Sequence, residues 1–153
     1  MTILKNGNSY IIEQESTYQS IDIFKKYNEN TILFISRENP KKLLSKTNEN
    51  KKIIWLTNIT GFENTVKPND IEQLGYDIEQ FMQDKKNCTI LLTGIEYLTE
   101  HTSFNQVLHI IQDLKDTASM HNSILIVIIG KKTFEDRQLN LLRQELIEIK
   151  DGI

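Results

Sequence analysis

Short, nearly unbroken apolar runs alternate along the chain with longer segments in which apolar residues recur every three or four positions. The apolar runs, at 9–12, 31–35, 53–57, 89–93 and 123–129, predict five strands, since such runs are typical of strands covered on both faces. The segments between them predict amphipathic helices. We therefore predict a single α/β domain over 1–153, with a mainly parallel five-stranded sheet and helices on both faces.

Polar residues that commonly cap helices mark where the predicted helices begin. The predicted caps or first residues are Ser16 or Thr17, Asn69, Ser103 and Thr133. Asn69 and Ser103 are each followed three residues later by Glu or Gln, which completes the pattern of a capping box. The loop 58–67 is predicted to be irregular, and 147–149 to be a helix end or a short edge strand.

The composition limits the classes of protein and partner. A chain of 153 residues is long enough for one domain with one sizeable core. The net charge of −3 provides no basic surface for a phosphate backbone, so we expect no nucleic-acid partner. The single cysteine, Cys88, cannot form an intramolecular disulfide, which favours a reducing compartment. Because there is neither a signal-peptide pattern nor an apolar run near ~20 residues, we expect a soluble, cytoplasmic protein that does not insert into a membrane.

The candidate functional residues follow the ends of the predicted strands, since parallel sheets collect functional groups at their carboxyl edge. Ligand or partner binding is predicted for Arg37, Asn58, Thr93, Glu96, Tyr97 and Lys131. Tyrosine and arginine are among the residue types most often found at interface hot spots. For Glu96 and Tyr97 the alternative is the first turn of a helix packed against the sheet, where the helix dipole favours a carboxylate. Trp55 is expected to pack in the core.

Residue patterns for nucleotide or metal chemistry are missing from the sequence. A phosphate loop needs glycines and a lysine, whereas the turn after the first predicted strand, 13–16, has neither and carries two carboxylates that repel a triphosphate. Thr93 stands where an ATPase of this build has a magnesium-binding aspartate. His101, His109 and His121 share no metal-ligand spacing. We therefore expect no enzyme activity, no cofactor and no metal.

Several stretches of the chain resemble an archaeal family of unknown function (number 835 in that series). The most specific string is Gly94-Ile95-Glu96-Tyr97-Leu98, and others lie at 34–43, 54–58, 68–74 and 121–127. Members of that family occur alone and joined to PAS and histidine-kinase sensor modules. The family is similar to the RecA/KaiC type of ATPase core, but this chain lacks the phosphate loop and has Thr93 where members often have aspartate. The resemblance implies a fold and a signalling context, and it implies no reaction.

We predict a non-catalytic signalling or protein-interaction module with a degenerate RecA/KaiC-like fold and no nucleotide hydrolysis. Its expected partner is a protein such as a sensor kinase or another signalling component, and the sequence leaves the oligomeric state open.

Two alternatives remain open at this stage. In the first, a small anionic ligand binds at the strand ends near Asn58 and Thr93, held by Arg37 and by Lys131 or Lys132. In the second, the chain is a degenerate phosphoreceiver of receiver/flavodoxin-like fold, although 57–58 reads Thr-Asn where a receiver needs its aspartate. Strand order separates the folds. A receiver has the order 2-1-3-4-5, and for a RecA-like core we expect the first strand between the fourth and the fifth.

Overall fold

The computed structural model describes residues 3–15, 18–27, 30–43 and 50–150. Within these residues, seven strands form one sheet in which every neighbouring pair is parallel. The strands are β1 (Ser9–Gln14), β2 (Ile32–Ser36), β3 (Lys51–Leu56), β4 (Thr65–Val66), β5 (Thr89–Leu92), β6 (Ile124–Gly130) and β7 (Ile147–Ile149). The helices are α1 (Tyr18–Lys26), α2 (Pro40–Leu43), α3 (Ile71–Lys85), α4 (Ile95–His101), α5 (Phe104–Met120) and α6 (Asp136–Glu145).

Alternate side chains of each strand enter different halves of the core, because successive residues of a strand point to opposite faces. Leu33 and Ile35 of β2 pack with buried residues of α3, α4, α5 and α6. Ile32 and Phe34 of the same strand pack on the other face, where Phe24 of α1 contributes. Both faces of the central strands are therefore covered by helices, as the unbroken apolar runs predict.

The predicted strand count of five is wrong, since the described residues contain seven strands. Strand β4 lies inside the loop predicted to be irregular, and its two residues are too few to leave a sequence pattern. It is held on β3 by backbone bonds from Trp55 N to Asn64 O and from Thr57 N to Val66 O. Strand β7 is the short edge strand that was one of two alternatives for 147–149, and it pairs with β1.

The strand order is β4-β3-β2-β5-β6-β1-β7. The receiver alternative is wrong, because a receiver has its first strand between the second and third, and here β2 and β3 are direct neighbours. The position expected of the first strand in a RecA-like core is wrong as well: β1 lies between β6 and β7, and β5 pairs directly with β6. The prediction that the fourth and fifth apolar runs form central strands is confirmed.

Helix starts agree with the sequence pattern in one case and shift in two. The hydroxyl of Ser103 accepts a bond from the backbone N–H of Gln106 and caps α5 as predicted. The cap of α3 is Asp70 and not Asn69, since its carboxylate accepts from the backbone of Gln73. The last helix is capped at Glu135 and does not begin at Thr133. The caps predicted at 16–17 lie outside the described residues.

No helix in the described part of the chain is both long enough and apolar enough to cross a membrane.

Candidate functional site

The carboxyl ends of β1, β2, β5 and β6 surround a half-open cavity of about 410 Å³, which we call the edge cavity. Its polar and charged lining consists of Gln14, Glu15, Ser20, Ser36, Arg37, Glu38, Thr93, Glu96, Tyr97, Glu100 and Thr133. Its apolar lining includes Ile21, Phe34, Ile128 and Ile129. The volume falls in the range of small-molecule sites, and the position at the carboxyl edge is the one predicted from the sequence.

A tight turn after β5 brings α4 against the neighbouring strand ends. Gly94 has φ +76°, and a Cβ at this position would lie 3.1 Å from Leu56 Cδ1 and 3.3 Å from Arg37 Cγ. Only glycine can adopt this positive φ and also leave room for Leu56 and Arg37 without strain. The preceding hydroxyl, that of Thr93, donates a 2.6 Å bond to the backbone carbonyl of Ile35 in β2. Thr93 therefore joins two strands.

Glu96 lies in the first turn of α4 and is half-buried. One of its carboxylate oxygens accepts a 2.9 Å bond from the backbone N–H of Gly130, the last residue of β6. A carboxylate at this end of a helix is also favoured by the helix dipole. Glu96 thus ties α4 to the sheet, in agreement with the structural alternative considered for it.

Arg37 and Tyr97 meet across the edge of the cavity. The guanidinium carbon of Arg37 lies 3.5 Å from the centre of the Tyr97 ring, a cation–π contact. Arg37 Nη1 also donates a 2.9 Å bond to the backbone carbonyl of Leu56. These two contacts fix the orientation of the Arg37 side chain, although the residue as a whole is exposed.

The Arg37–Tyr97 pair belongs to a continuous row of rings and one guanidinium, which we call the aromatic row: Phe62, Trp55, Arg37, Tyr97 and His101. The rings of Phe62 and Trp55 meet edge to face at 6.1 Å, and those of Tyr97 and His101 at 4.4 Å. Trp55 Nε1 donates a 3.1 Å bond to the carbonyl of Arg37 and so connects the two halves. The expectation that Trp55 packs in the core is wrong, since the residue is only half-buried.

Gln14, the last residue of β1, is 7% exposed, and its Oε1 has no hydrogen-bond partner. Among the described residues, the only other buried side-chain polar atom without a hydrogen-bond partner is Ser9 Oγ. A buried polar atom without a partner costs about 1–3 kcal/mol. Gln14 lines the edge cavity, and its Oε1 is an unsatisfied acceptor that is closed off from solvent.

The charges of the edge cavity are mainly negative. Its lining includes four carboxylates, those of Glu15, Glu38, Glu96 and Glu100, and one guanidinium, that of Arg37. Lys131 lies outside the lining and pairs with Glu15 at 3.3 Å on the exposed rim. This balance of charge opposes the anionic-ligand alternative.

The predicted site residues are brought together only in part. Arg37, Thr93, Glu96 and Tyr97 share the edge cavity, whereas Asn58 is exposed after β3 and lies outside its lining. The binding roles assigned to these residues remain predictions.

Sequence reasoning missed Glu100 as a site residue, and it placed Gln14 and Glu38 at strand ends without predicting binding for them. Gln14 occupies the strand position two residues after Ile12, on the same face, where an apolar residue is expected. Glu100 follows Glu96 by four residues, the spacing that places two side chains on one face of a helix. Both signals are present in the sequence. The described residues contain no cluster of three or more His, Cys, Asp or Glu side chains that could hold a metal ion.

The family of the chain follows from a match over residues 11–146 to the model described as a protein of unknown function, DUF835. The chain belongs to the DUF835 family. The resemblance noted from the sequence is thereby confirmed. No curated protein sequence matches the chain.

Two solved structures share the fold of this DUF835 domain. A Pyrococcus horikoshii OT3 protein known from a structural study matches with a TM-score of 0.63 and 10% identity, covering 97% of this chain and 84% of its own. The flagellar accessory protein FlaH from Methanocaldococcus jannaschii matches with a TM-score of 0.57 and 15% identity, covering 97% and 75%. FlaH is RecA/KaiC-like. The DUF835 domain therefore shares the fold of a RecA-like protein, although β1 does not lie where the first strand of a RecA-like core was expected.

Proposed function

We propose that this DUF835 domain is a non-catalytic interaction module that binds a protein partner in a signalling pathway through the aromatic row. The single observation that carries the proposal is the continuity of that row at the carboxyl edge of the sheet. Tryptophan, tyrosine and arginine are the residue types enriched at interface hot spots. Here Arg37 contacts both other types, because its guanidinium lies over the Tyr97 ring and its backbone carbonyl accepts from the Trp55 indole. Phe62, which meets Trp55 edge to face, is 53% exposed.

The row is preorganised for binding. Arg37 is held by the Leu56 carbonyl and the Tyr97 ring, and the Trp55 indole is held by the Arg37 carbonyl. Side chains ordered before binding lose less conformational freedom when a partner arrives, so more of the contact energy appears as affinity. Ile59, 49% exposed in the same loop as Phe62, extends the apolar part of the surface.

The non-catalytic part of the proposal draws support from the sequence at the end of β1 and directly after it. That sequence is Glu-Gln-Glu-Ser at 13–16, with no glycine to bring backbone N–H groups onto a phosphate and no lysine. FlaH, which shares the fold, is named as an accessory protein of the flagellum. A RecA-like domain that binds other proteins without catalysing a reaction fits such an accessory role.

The test is affinity capture from an extract of the native organism, followed by binding of the purified partner. The wild-type domain is compared with Arg37→Ala, Phe62→Ala and the control Tyr76→Ala, which removes a 59% exposed tyrosine of α3. We expect a protein that wild type and Tyr76→Ala retain and the other two lose. Calorimetry with that purified protein should show a loss of affinity of about tenfold or more for Arg37→Ala. Equal capture by all four forms contradicts the proposal.

A further inference from the structure

We infer that the groove between α3 and α5 binds a basic amphipathic helix of a partner protein. The groove has a volume of about 560 Å³ and lies between two helices, away from the carboxyl edge of the sheet. The inference goes beyond the proposed function, because no residue that lines the groove belongs to the aromatic row.

The shape of the groove follows the repeat of its two helices. Each wall consists of residues spaced by three or four positions, the spacing that places side chains on one face of a helix. The wall residues are Glu72, Tyr76 and Glu79 on α3, and Gln106, His109 and Asp113 on α5. Because seven residues of a helix rise about 10 Å, each wall extends over two turns. A groove of this form can receive the apolar face of an amphipathic helix.

A glycine in α3 shapes the floor of the groove, which is formed by Ile71, Gly75 and Ile110. A Cβ at Gly75 would lie 3.0 Å from Ile110 Cδ1, so alanine at this position would displace the isoleucine side chain. Glycine inside a helix is a poorer helix former than alanine. Gly75 therefore lowers the helix propensity of α3 but lets Ile110 approach the helix backbone, which leaves an apolar floor between the two walls.

The ring of Tyr76 provides an anchor beside this floor. The residue is 59% exposed, although its ring is a large apolar surface with a polar group at one end. Tyrosine is one of the residue types enriched at interface hot spots. An apolar side chain of a docked helix can pack on the Tyr76 ring and on the floor at the same time.

The charge of the groove selects a basic partner helix. Glu72, Glu79 and Asp113 line it, and no lysine or arginine is among the described residues that do so. In the described part of the chain, the carboxylates of Glu72 and Glu79 form no hydrogen bond or ion pair. Lysine or arginine side chains seven residues apart on a docked helix match the spacing of these two carboxylates, whereas acidic side chains are repelled.

Fluorescence anisotropy with two synthetic peptides tests the inference. The first is an amphipathic helix of about 18 residues, five turns, with leucines along one face and lysines beside them at positions seven apart. The second has glutamates in place of the lysines. We expect the wild type to bind the lysine peptide at least about tenfold more tightly, by a margin that decreases with added salt. Equal affinities, or no binding of the lysine peptide up to millimolar concentration, overturn the inference.

A matched pair of charge reversals distinguishes the groove from the general negative charge of the protein. Glu72→Lys with Glu79→Lys should reverse the preference, so that the glutamate peptide binds more tightly. Asp77→Lys with Asp84→Lys makes the same change of charge at the same spacing on α3, but these residues line a cavity on another side of the helix. This control should keep the preference of the wild type. Equal effects of the two pairs contradict a site between α3 and α5.

Gly75→Ala tests the floor of the groove separately from the charge. Binding of the lysine peptide should weaken about tenfold, because the displaced Ile110 side chain fills the floor. The melting temperature should stay the same or rise, since alanine favours the helix. Unchanged binding contradicts the role of the floor. Tyr76→Ala, which should also weaken binding about tenfold, keeps this part testable if Gly75→Ala fails to fold.

Sedimentation analysis tests whether the occupant of the groove is instead a second copy of this chain. We expect the wild type and the Glu72→Lys, Glu79→Lys variant to sediment alike. A wild-type dimer that the double variant converts to a monomer overturns the inference in favour of self-association. Phe62→Ala should bind the lysine peptide like the wild type, so a failure of the aromatic row is distinguishable from a failure of the groove.

Discussion

The carboxylate of Glu96 accepts a 2.9 Å hydrogen bond from the backbone N–H of Gly130. The bond joins the first turn of α4 to the last residue of β6, and the two meet because β5, which leads into α4, pairs with β6. A Cβ at Gly130 would lie 2.7 Å from Thr133 Oγ1 but 3.9 Å from Glu96 Oε1, so the glycine makes room for Thr133 and not for Glu96. One oxygen of Glu96 is therefore committed to the fold before any ligand or partner binds.

Replacing Glu96 by alanine should destabilise the domain. The change leaves the N–H of Gly130 without a partner, and we expect the free energy of unfolding to fall by about 1–3 kcal/mol. Glu96→Gln keeps an acceptor and should cost less than about 1 kcal/mol. Urea denaturation measures both, with Glu72→Ala, an exposed first-turn acid of α3, as the control. If Glu96→Ala leaves the stability unchanged and selectively abolishes partner binding, the carboxylate is a binding group.

Gly94→Ala should be more destabilising than Gly61→Ala. Both glycines have positive φ, +76° and +89°, so each alanine carries the backbone cost of the left-handed region, about 1–2 kcal/mol. At Gly61 the added Cβ meets open space, whereas at Gly94 it meets Leu56 and Arg37. The difference in thermal stability between the two variants therefore measures the cost of the contacts that a Cβ at Gly94 makes with Leu56 and Arg37. Equal losses of stability contradict the close approach of Arg37 to the turn.

The sequence was sufficient to predict the parts of the fold that depend on neighbours along the chain. Strands β5 and β6 could be predicted because their apolar character is continuous, and the cap at Ser103 because capping is local. The pairing of Arg37 with Tyr97 could not be predicted, since it depends on β2 and β5 being adjacent in the sheet. The unsatisfied state of Gln14 likewise depends on which groups surround it in space.

Truncation of the central strands should cause large losses of stability. Leu92 of β5 and Ile126 of β6 are 1% and 0% exposed, on opposite faces of the sheet. Leu92→Ala and Ile126→Ala should each lower the free energy of unfolding by about 2–5 kcal/mol through lost burial and a cavity. Met120→Ala, at an 81% exposed position, should stay within about 0.5 kcal/mol in the same denaturation series. A small effect at either buried position contradicts the double-covered sheet.

The free energy of unfolding should fall at alkaline pH because of Cys88. Burial raises the pKa of its thiol, and a hydrogen bond to the Ser123 hydroxyl opposes that shift to a smaller extent. Above about pH 8.5, the ordinary pKa of a cysteine, the unfolded chain loses this proton while the folded protein keeps it. The contribution is thus fully present below that pH and is lost as the pH rises towards the folded pKa.

Comparison of the wild type with Cys88→Ala measures the contribution of Cys88 to the pH dependence of the free energy of unfolding. The free energy of unfolding of the wild type should fall more steeply than that of the variant between about pH 8 and pH 10. Other groups that titrate in this range, including Lys51 with its pKa lowered by burial, are common to both proteins. Parallel pH curves contradict a buried, neutral thiol at Cys88.

Restoring an aspartate at Thr93 should not create an ATPase. Thr93 Oγ1 donates to the carbonyl of Ile35, and a carboxylate in its place has no proton to donate and faces the carbonyl oxygen. Thr93→Asp should therefore lower the free energy of unfolding by about 1–3 kcal/mol, compared with about 1 kcal/mol for Thr93→Val, which loses only the hydroxyl bond.

Nucleotide chemistry needs more than this one acid. Phosphoryl transfer depends on a backbone cradle, a lysine and a metal held together around the phosphates, and the sequence at 13–16 supplies two carboxylates instead. We expect neither the wild type nor Thr93→Asp to bind ATP or GTP with magnesium in calorimetry, or to release phosphate above background. Micromolar affinity of the wild type for ATP contradicts this expectation, and so does phosphate release by the variant. In either case the carboxyl edge of this RecA-like sheet binds phosphate by a route other than a glycine-rich loop.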